Sequence, residues 1–534
     1  MNPPFYKIDF PQVVNYGSLG MLIGHEFSSA FNDIGSQFSS NGSLAPWFTA
    51  NAQQGFSNMA QCIINEYGKT CYPQGVCING INTQGNNLAD NAGLLAAYEG
   101  YKVWVTLQNN GQPEPPLPGM TQYNTDQTFF ISFAHAMCAS FSPQQTLNEL
   151  LLAPHVPMRD RVNGVVRNLD QFGMAFNCAR GSNLMPVESE MCPVYRPIPA
   201  TPPVPPSFPT TPKPTASQSL AWKRAAKMLL DSMDFNVDPC DDFFAYSCNN
   251  WLKNNPIPSY GSSVSTFDAL QDQINAQLEQ SLQIINSSNQ NTLPTFKAMK
   301  NFYQSCLTSS NDQFPNAKPL LNMLNGSQFN SNGWPIIMQS WPGVPSSYSL
   351  WGQAGIIEGQ YVTATFLSSF VTVDYKQIKK NALYIDQGST ALGSRDYYID
   401  NFFSEKRENY RQLIIRVAKT LASDSGLDPD VISDQIATDA SDVLDFETVM
   451  AGFLKAGKYR RNYTQQFNPY NLTKLNQTWP LVDWEGYLGN LLGPSIALHQ
   501  LTTRFVINEP TFVGAIASQI KRTPIRTIVN YLGR

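Results

Sequence analysis

The sequence predicts a predominantly α-helical fold with a small β component, an α+β chain assembled from more than one piece. Three observations predict it. Apolar residues recur at helical spacing over long windows, one region alternates as strands do, and a run dense in Pro, Ser and Thr divides the chain. Taken in order, helices are expected over Val14 to Phe31, Trp47 to Tyr67 and Leu88 to Val105, where Leu94, Tyr98, Tyr101 and Val105 fall on one stripe. From Ile198 to Ser219 the sequence IPATPPVPPSFPTTPKPTASQS favours extended polyproline II and reads as a linker. Helical spacing resumes over Leu220 to Met233, Phe267 to Ile285 and Leu293 to Leu307. Tyr361 to Tyr384 carries β-branched and aromatic residues in short alternations and is expected to form strands. The expected pieces are therefore residues 1–195, a linker at 196–219, and residues 220–534.

Composition narrows the function. At 534 residues with 42% hydrophobic content the chain can bury a large core, and a net charge of −5 gives no footprint for nucleic acid. Nine cysteines fit an oxidising compartment, as do six N-x-[ST] sequons, at Asn41, Asn286, Asn325, Asn462, Asn471 and Asn476. An extracellular location, or a membrane-associated one on the lumenal or extracellular side, is expected. No basic, then apolar, leader opens the chain, and no run of 18 apolar residues occurs in it. The chain is thus expected to be a piece of a longer product, an incomplete gene product, or a protein exported by an unread route.

The stretch GHEFSSAF, Gly24 to Phe31, carries the sharpest chemical signal. In H-E-x-x-H two histidines four residues apart share a helix face and hold Zn²⁺, with the glutamate as general base. His25 and Glu26 stand in place here, and Ser29 takes the second histidine's position.

Beyond that motif, NYGSLGMLIGHEF (Asn15 to Phe27), INGINTQGNNLADNAGLLAAY (Ile78 to Tyr98), FFISFAHAMC (Phe129 to Cys138), APHVPMRDRV (Ala153 to Val162) and CPVY (Cys192 to Tyr195) resemble, in order and spacing, the catalytic C-terminal domain of the neprilysin family of zinc metalloendopeptidases. DPCDDFFAYSCNNWLKNNPIP (Asp238 to Pro258) and IDQGSTALGSRDYY (Ile385 to Tyr398) are similar to that family's N-terminal half. The order is inverted relative to the family, and the family's central part, with its substrate-pairing edge strand, has no counterpart. The resemblance implies a thermolysin-like zinc-peptidase lobe plus a helical N-terminal-type lobe, the latter incomplete.

It also implies a site. His25 corresponds to a zinc ligand, while Ser29 and Asn86 replace the other two, so zinc is expected to bind weakly or not at all. Glu26 matches the general base, Asp90 the carboxylate that orients a ligand histidine, and His155 the stabiliser of the tetrahedral transition state. Arg161 matches the arginine that holds a substrate carbonyl. Phe5, Leu22 and Phe267 correspond to apolar side chains around the substrate pocket; Met137 replaces a tryptophan there, and the arginine that clamps a peptide carboxylate falls near Ser263. The two remaining histidines are His135, expected to be an ordinary core or surface residue, and His499.

By the family pattern Cys62 pairs with Cys192, Cys138 with Cys248 and Cys178 with Cys240. Cys71 and Cys77 are close enough for a local loop, and Cys306 is left odd, a thiol through which tandem or disulfide-linked units could join. Three functions stay open: a catalytically defective homologue that binds peptides or a partner, an active zinc endopeptidase cleaving before large hydrophobic residues, and a structural remnant without a ligand.

Overall fold

In the computed structural model the described residues are 2–73, 75–195, 219–308, 317–325, 331–493 and 505–534. The Pro-rich linker, apart from Ser219, and His499 lie outside them. The chain forms two compact units, residues 1–39 with 45–300, and residues 40–44 with 301–534. The contacts thus part after Lys300, and residues 220–300 pack with the first 195 instead of with the rest of the chain.

The first unit is predominantly helical. Helical backbone runs from Gln12 to Asn15, through a π-helical turn at Tyr16–Gly20, into Met21–Ser29. The opening N–H groups of Gln12 and Val13 would be orphaned, and the Glu114 carboxylate accepts both, at 2.9 and 2.8 Å. A second long helix, Gly80–Gln108, begins where the Asn79 side chain accepts the Asn82 N–H. These two helices approach at a pair of glycines. A Cβ on Gly93 would lie 2.4 Å from the His25 amide nitrogen, and one on Gly24 would lie 2.4 Å from the Gly93 carbonyl oxygen. No larger residue fits at either position.

The core of this unit draws on both sides of the linker. Phe129, Phe130 and Phe133 of the helix Thr125–Ala136 are buried with Tyr101, Phe172 and Phe243, and the Phe172 and Phe243 rings lie 4.8 Å apart. The Tyr123 and Tyr246 hydroxyls share a 2.6 Å hydrogen bond. Strand β1 (Ala139–Phe141) pairs antiparallel with β2 (Ser263–Ser265). Disulfides Cys138–Cys248 and Cys178–Cys240 span 110 and 62 residues, and each stabilises by about 4 kcal/mol on the chain-entropy view. Cys62–Cys192 and Cys71–Cys77 complete the set, and Cys306 is free and exposed, so every pairing implied by the resemblance is present.

The second unit packs helices Ser404–Asp424, Ser433–Phe453, Pro510–Arg522 and Ile525–Gly533 around Phe446, Trp484, Tyr487 and Tyr531. Its sheet has the order β3-β4-β6-β5, from β3 (Leu367–Asp374), β4 (Gln377–Gln387), β5 (Asn468–Tyr470) and β6 (Phe505–Ile507). The alternating segment is the β3–β4 hairpin, and β6 joins β4 in parallel. The six helical windows read from periodicity all form helices; most ends lie within three residues of those expected, but the helix expected to open at Leu88 begins eight residues earlier, at Gly80. No helix among the described residues is long and apolar enough to cross a membrane.

Gly93→Ala is expected to lower stability by about 1–3 kcal/mol, because its methyl must push two backbones apart; chemical denaturation measures it. A pH effect follows from two half-buried carboxylates. Burial pushes Glu66 up to about 7 and Asp160 up to about 6. A carboxyl whose folded value is raised favours the folded state below its ordinary value of ~4 and loses that advantage as pH rises through the folded value. Melting temperature should therefore fall between about pH 4.5 and pH 7.5, and Glu66→Gln should flatten that slope.

Candidate functional site

The site is built where the two glycine-crossed helices meet the helix Met158–Arg167. His25 is buried, and its Nδ1 lies 2.6 Å from Oδ1 of Asp90. Arg161 donates from Nε to Asp90 Oδ2 at 2.7 Å and from Nη2 to Oδ1 at 2.6 Å. The fork makes the pair bidentate, which fixes the carboxylate plane as well as its charge. Burial pushes the Asp90 carboxyl up, but the Arg161 charge and the His25 hydrogen bond outweigh it and hold the group down at about 2. Asp90 is thus ionised in the folded protein and orients the imidazole so that Nε2 faces away from it. Arg161 keeps Nη1 without a partner among the described residues.

Helix geometry puts Ser29 one turn beyond His25 and Asn86 one turn before Asp90, each on its neighbour's face. Both side chains are engaged with backbone. The Ser29 hydroxyl donates to the His25 carbonyl at 3.1 Å, and the Asn86 amide donates to the Pro154 carbonyl at 2.8 Å. The second bond pins the loop that carries His155, whose ring centroid lies 6.4 Å from that of His25. Burial, with the nearby Arg161 charge, pushes His155 below its usual value, so it is neutral at neutral pH. Glu26 is exposed on the helix beside His25. His25, Asp90, His155 and Arg161 therefore converge, with Ser29 and Asn86 around them.

As a zinc cradle the donor set does not fit. A catalytic zinc site takes three imidazole, thiolate or carboxylate donors. Here one imidazole is accompanied by a neutral hydroxyl and a neutral amide, both weak zinc donors, and the described residues contain no metal-holding group of three or more His, Cys, Asp or Glu.

The apolar residues divide. Phe5 is buried and packs on Phe267 with ring centroids 4.6 Å apart, and Leu22 is half-buried against the same core. An open apolar groove of about 480 Å³ lies instead on the opposite face of the His25 helix, along Tyr16, Ile23, Phe27, Phe31 and Ala97. Ile23 and Phe27 alternate with His25 in the sequence, which is the signal that places them on another face. Gly24 and Gly93 are the positions that residue chemistry overlooks. A glycine inside a helical pattern is their only trace in the sequence. His135 is buried, and burial pushes it down to about 4, as an ordinary core histidine.

Relatives match about a third of the chain. The chain is 37% identical over 187 residues to Neprilysin-11 of Caenorhabditis elegans, covering 35% of this chain and 22% of that protein. It is 36% identical over 188 residues to Neprilysin of Homo sapiens and 36% over 186 residues to Endothelin-converting enzyme 1 of Bos taurus, each match covering 35% of this chain and 24% of the relative. The matched part thus spans about a quarter of those proteins. Among solved structures, a Haemonchus galactose containing glycoprotein complex is 36% identical, covering 36% of this chain and 31% of that chain, with a TM-score of 0.34. Residues 1–192 match the peptidase domain of Peptidase family M13 and residues 239–533 its N-terminal domain, in that inverted order and over most of the sequence, so the chain belongs to Peptidase family M13.

Proposed function

We propose that this chain is a neprilysin-type peptidase homologue that binds peptides without hydrolysing them. The observation that supports this reading is the donor set beside His25: at the two remaining ligand positions Ser29 and Asn86 offer only a neutral hydroxyl and a neutral amide oxygen, and each side chain donates to a backbone carbonyl of the same fold. In this proposal residues 1–195 are the peptidase-type domain and 220–534 the N-terminal-type domain, joined by the segment at 196–219. The compartment is extracellular or lumenal, which four disulfides favour.

The proposed roles follow from chemistry. Arg161, fixed by Asp90, offers Nη1 to a peptide carbonyl, and neutral His155 can donate a hydrogen bond to a second one. Glu26, exposed beside them, accepts from a peptide N–H. Leu22 and Phe267, both half-buried, supply the apolar wall that large hydrophobic side chains would meet, with the buried Phe5 packed behind Phe267 as its support. No zinc-activated water is available to Glu26 in this reading, so binding ends without cleavage. A second reading, an active zinc endopeptidase cutting before large hydrophobic residues, draws on the retained His25, Asp90 and Arg161 arrangement.

Elemental analysis decides between them. The purified chain is expected to carry far less than one zinc and to leave peptides uncut. Near-stoichiometric zinc with chelator-sensitive hydrolysis would replace the first reading by the second. In the reverse direction, Ser29→His with Asn86→Glu should raise zinc affinity by several orders of magnitude, as three strong donors replace one. Asn86→Glu alone should destabilise the chain, since a carboxylate then faces the Pro154 carbonyl in place of an amide donor. Calorimetric zinc titration and thermal melts measure the two.

A further inference from the structure

The second unit contains a cavity that neither the peptidase resemblance nor the Asp90 site uses. It measures about 250 Å³, just below the usual size of drug-sized sites, and lies at the β3–β4 hairpin beside the short helix Tyr463–Gln466 that leads into β5. Its walls are aromatic: Phe370, Tyr375, Tyr384, Tyr463 and Phe467. Phe370 and Tyr384 stack at 5.4 Å, and the Tyr375 ring lies 5.1 Å from Tyr384 and 5.9 Å from Tyr463.

Its floor is polar and electrically balanced. The charged side chains lining it are Asp386 and Arg460, and they are paired, with Arg460 Nη2 donating to Asp386 Oδ1 at 2.6 Å. Behind them Glu509 accepts from Arg460 Nε at 3.2 Å and faces the Lys455 ammonium at 3.6 Å. Two cations and two anions cancel, so neither an anion nor a cation finds an unbalanced charge here. Hydrogen-bonding capacity remains nonetheless. Asn508 donates its amide to Asp386, and Gln466 donates its amide to the Arg460 carbonyl. That leaves Asn508 Oδ1, Gln466 Oε1 and Arg460 Nη1 without partners among the described residues, two acceptors and one donor.

Aromatic faces, planar amide and guanidinium edges, and no net charge make a surface for a ligand with apolar C–H faces and many hydroxyls. We propose that this cavity is a subsite for a neutral saccharide of one or two pyranose rings. The rings of the sugar lie against Tyr463 and Phe370, and its hydroxyls exchange hydrogen bonds with Arg460, Gln466 and Asn508.

Two sources supply such a sugar. One is a separate glycan. The other is the chain's own: the sequon at Asn462 adjoins Tyr463, its asparagine is exposed, and its Oδ1 accepts the Gln465 N–H at 3.1 Å. That bond leaves Nδ2 open for a glycan without disturbing the turn.

The test uses the full chain, made with and without N-glycans. Glucose, galactose, mannose, N-acetylglucosamine, lactose and N,N′-diacetylchitobiose are titrated by calorimetry and saturation-transfer NMR, with tetramethylammonium and inorganic phosphate as charged probes. At least one sugar is expected to bind the glycan-free chain. Tyr463→Ala should weaken it about tenfold, while Tyr463→Phe should stay within about twofold, because the ring face is what the sugar meets. Asn508→Ala, a milder change, should also weaken it. If the glycosylated chain binds added sugar only after Asn462→Gln, the resident glycan is the source; if it binds regardless, a separate glycan is. Absence of sugar binding to the glycan-free chain, unchanged affinity in both Tyr463→Ala and Asn508→Ala, or a charged probe displacing the sugar overturns the proposal.

Discussion

The close approach of Gly24 and Gly93 is the constraint on which the rest of the site depends. Two helices whose backbones nearly touch cannot slide or rotate past one another without collision, so the residues flanking the contact are fixed in register. His25 follows Gly24 directly, and Asp90 stands one turn before Gly93. The imidazole and carboxylate therefore meet at 2.6 Å without any flexible segment between them. Arg161 adds the third point from a separate helix, and three elements are tied through one carboxylate.

That carboxylate is held by a balance of large opposing effects. Taking Asp90 out of water raises its proton affinity, while the Arg161 fork and His25 lower it further than burial raises it. Removing one partner of such a buried pair costs about 3–5 kcal/mol, because the other is left charged and unsolvated. The arrangement is therefore self-sustaining as structure.

The segments on either side of the Pro-rich run are held together by covalent and aromatic contacts. Two disulfides, a two-stranded sheet and the Phe172–Phe243 contact make residues 220–300 part of the first unit's core. A seam in composition is thus not a seam in packing. Sequence exposes the seam because Pro and Ser cannot bury themselves; packing ignores it because the buried faces lie outside it.

Periodicity alone marked six helical windows and the strand-rich segment that forms most of the β3–β4 hairpin, since amphipathic spacing is a local property of the chain; it did not mark the second unit's helices such as Ser404–Asp424 and Ser433–Phe453. Residue types at fixed spacing, read through the family resemblance, likewise singled out His25, Ser29 and Asn86 for the proposed site, for a hydroxyl or amide is a weak zinc donor wherever it sits. The cysteine pairing was legible through family resemblance, not through spacing. Tertiary structure decided everything that depends on distance between remote residues: that Arg161 grips Asp90, that Asn86 holds the His155 loop, that the large apolar groove lies on the face away from His25, and that Phe370, Tyr463 and Asn508 enclose one cavity. Those facts arise from chain closure over tens to hundreds of residues, and no local pattern encodes them. A helix announces its own buried face, but what covers that face is settled only when the chain folds back on itself.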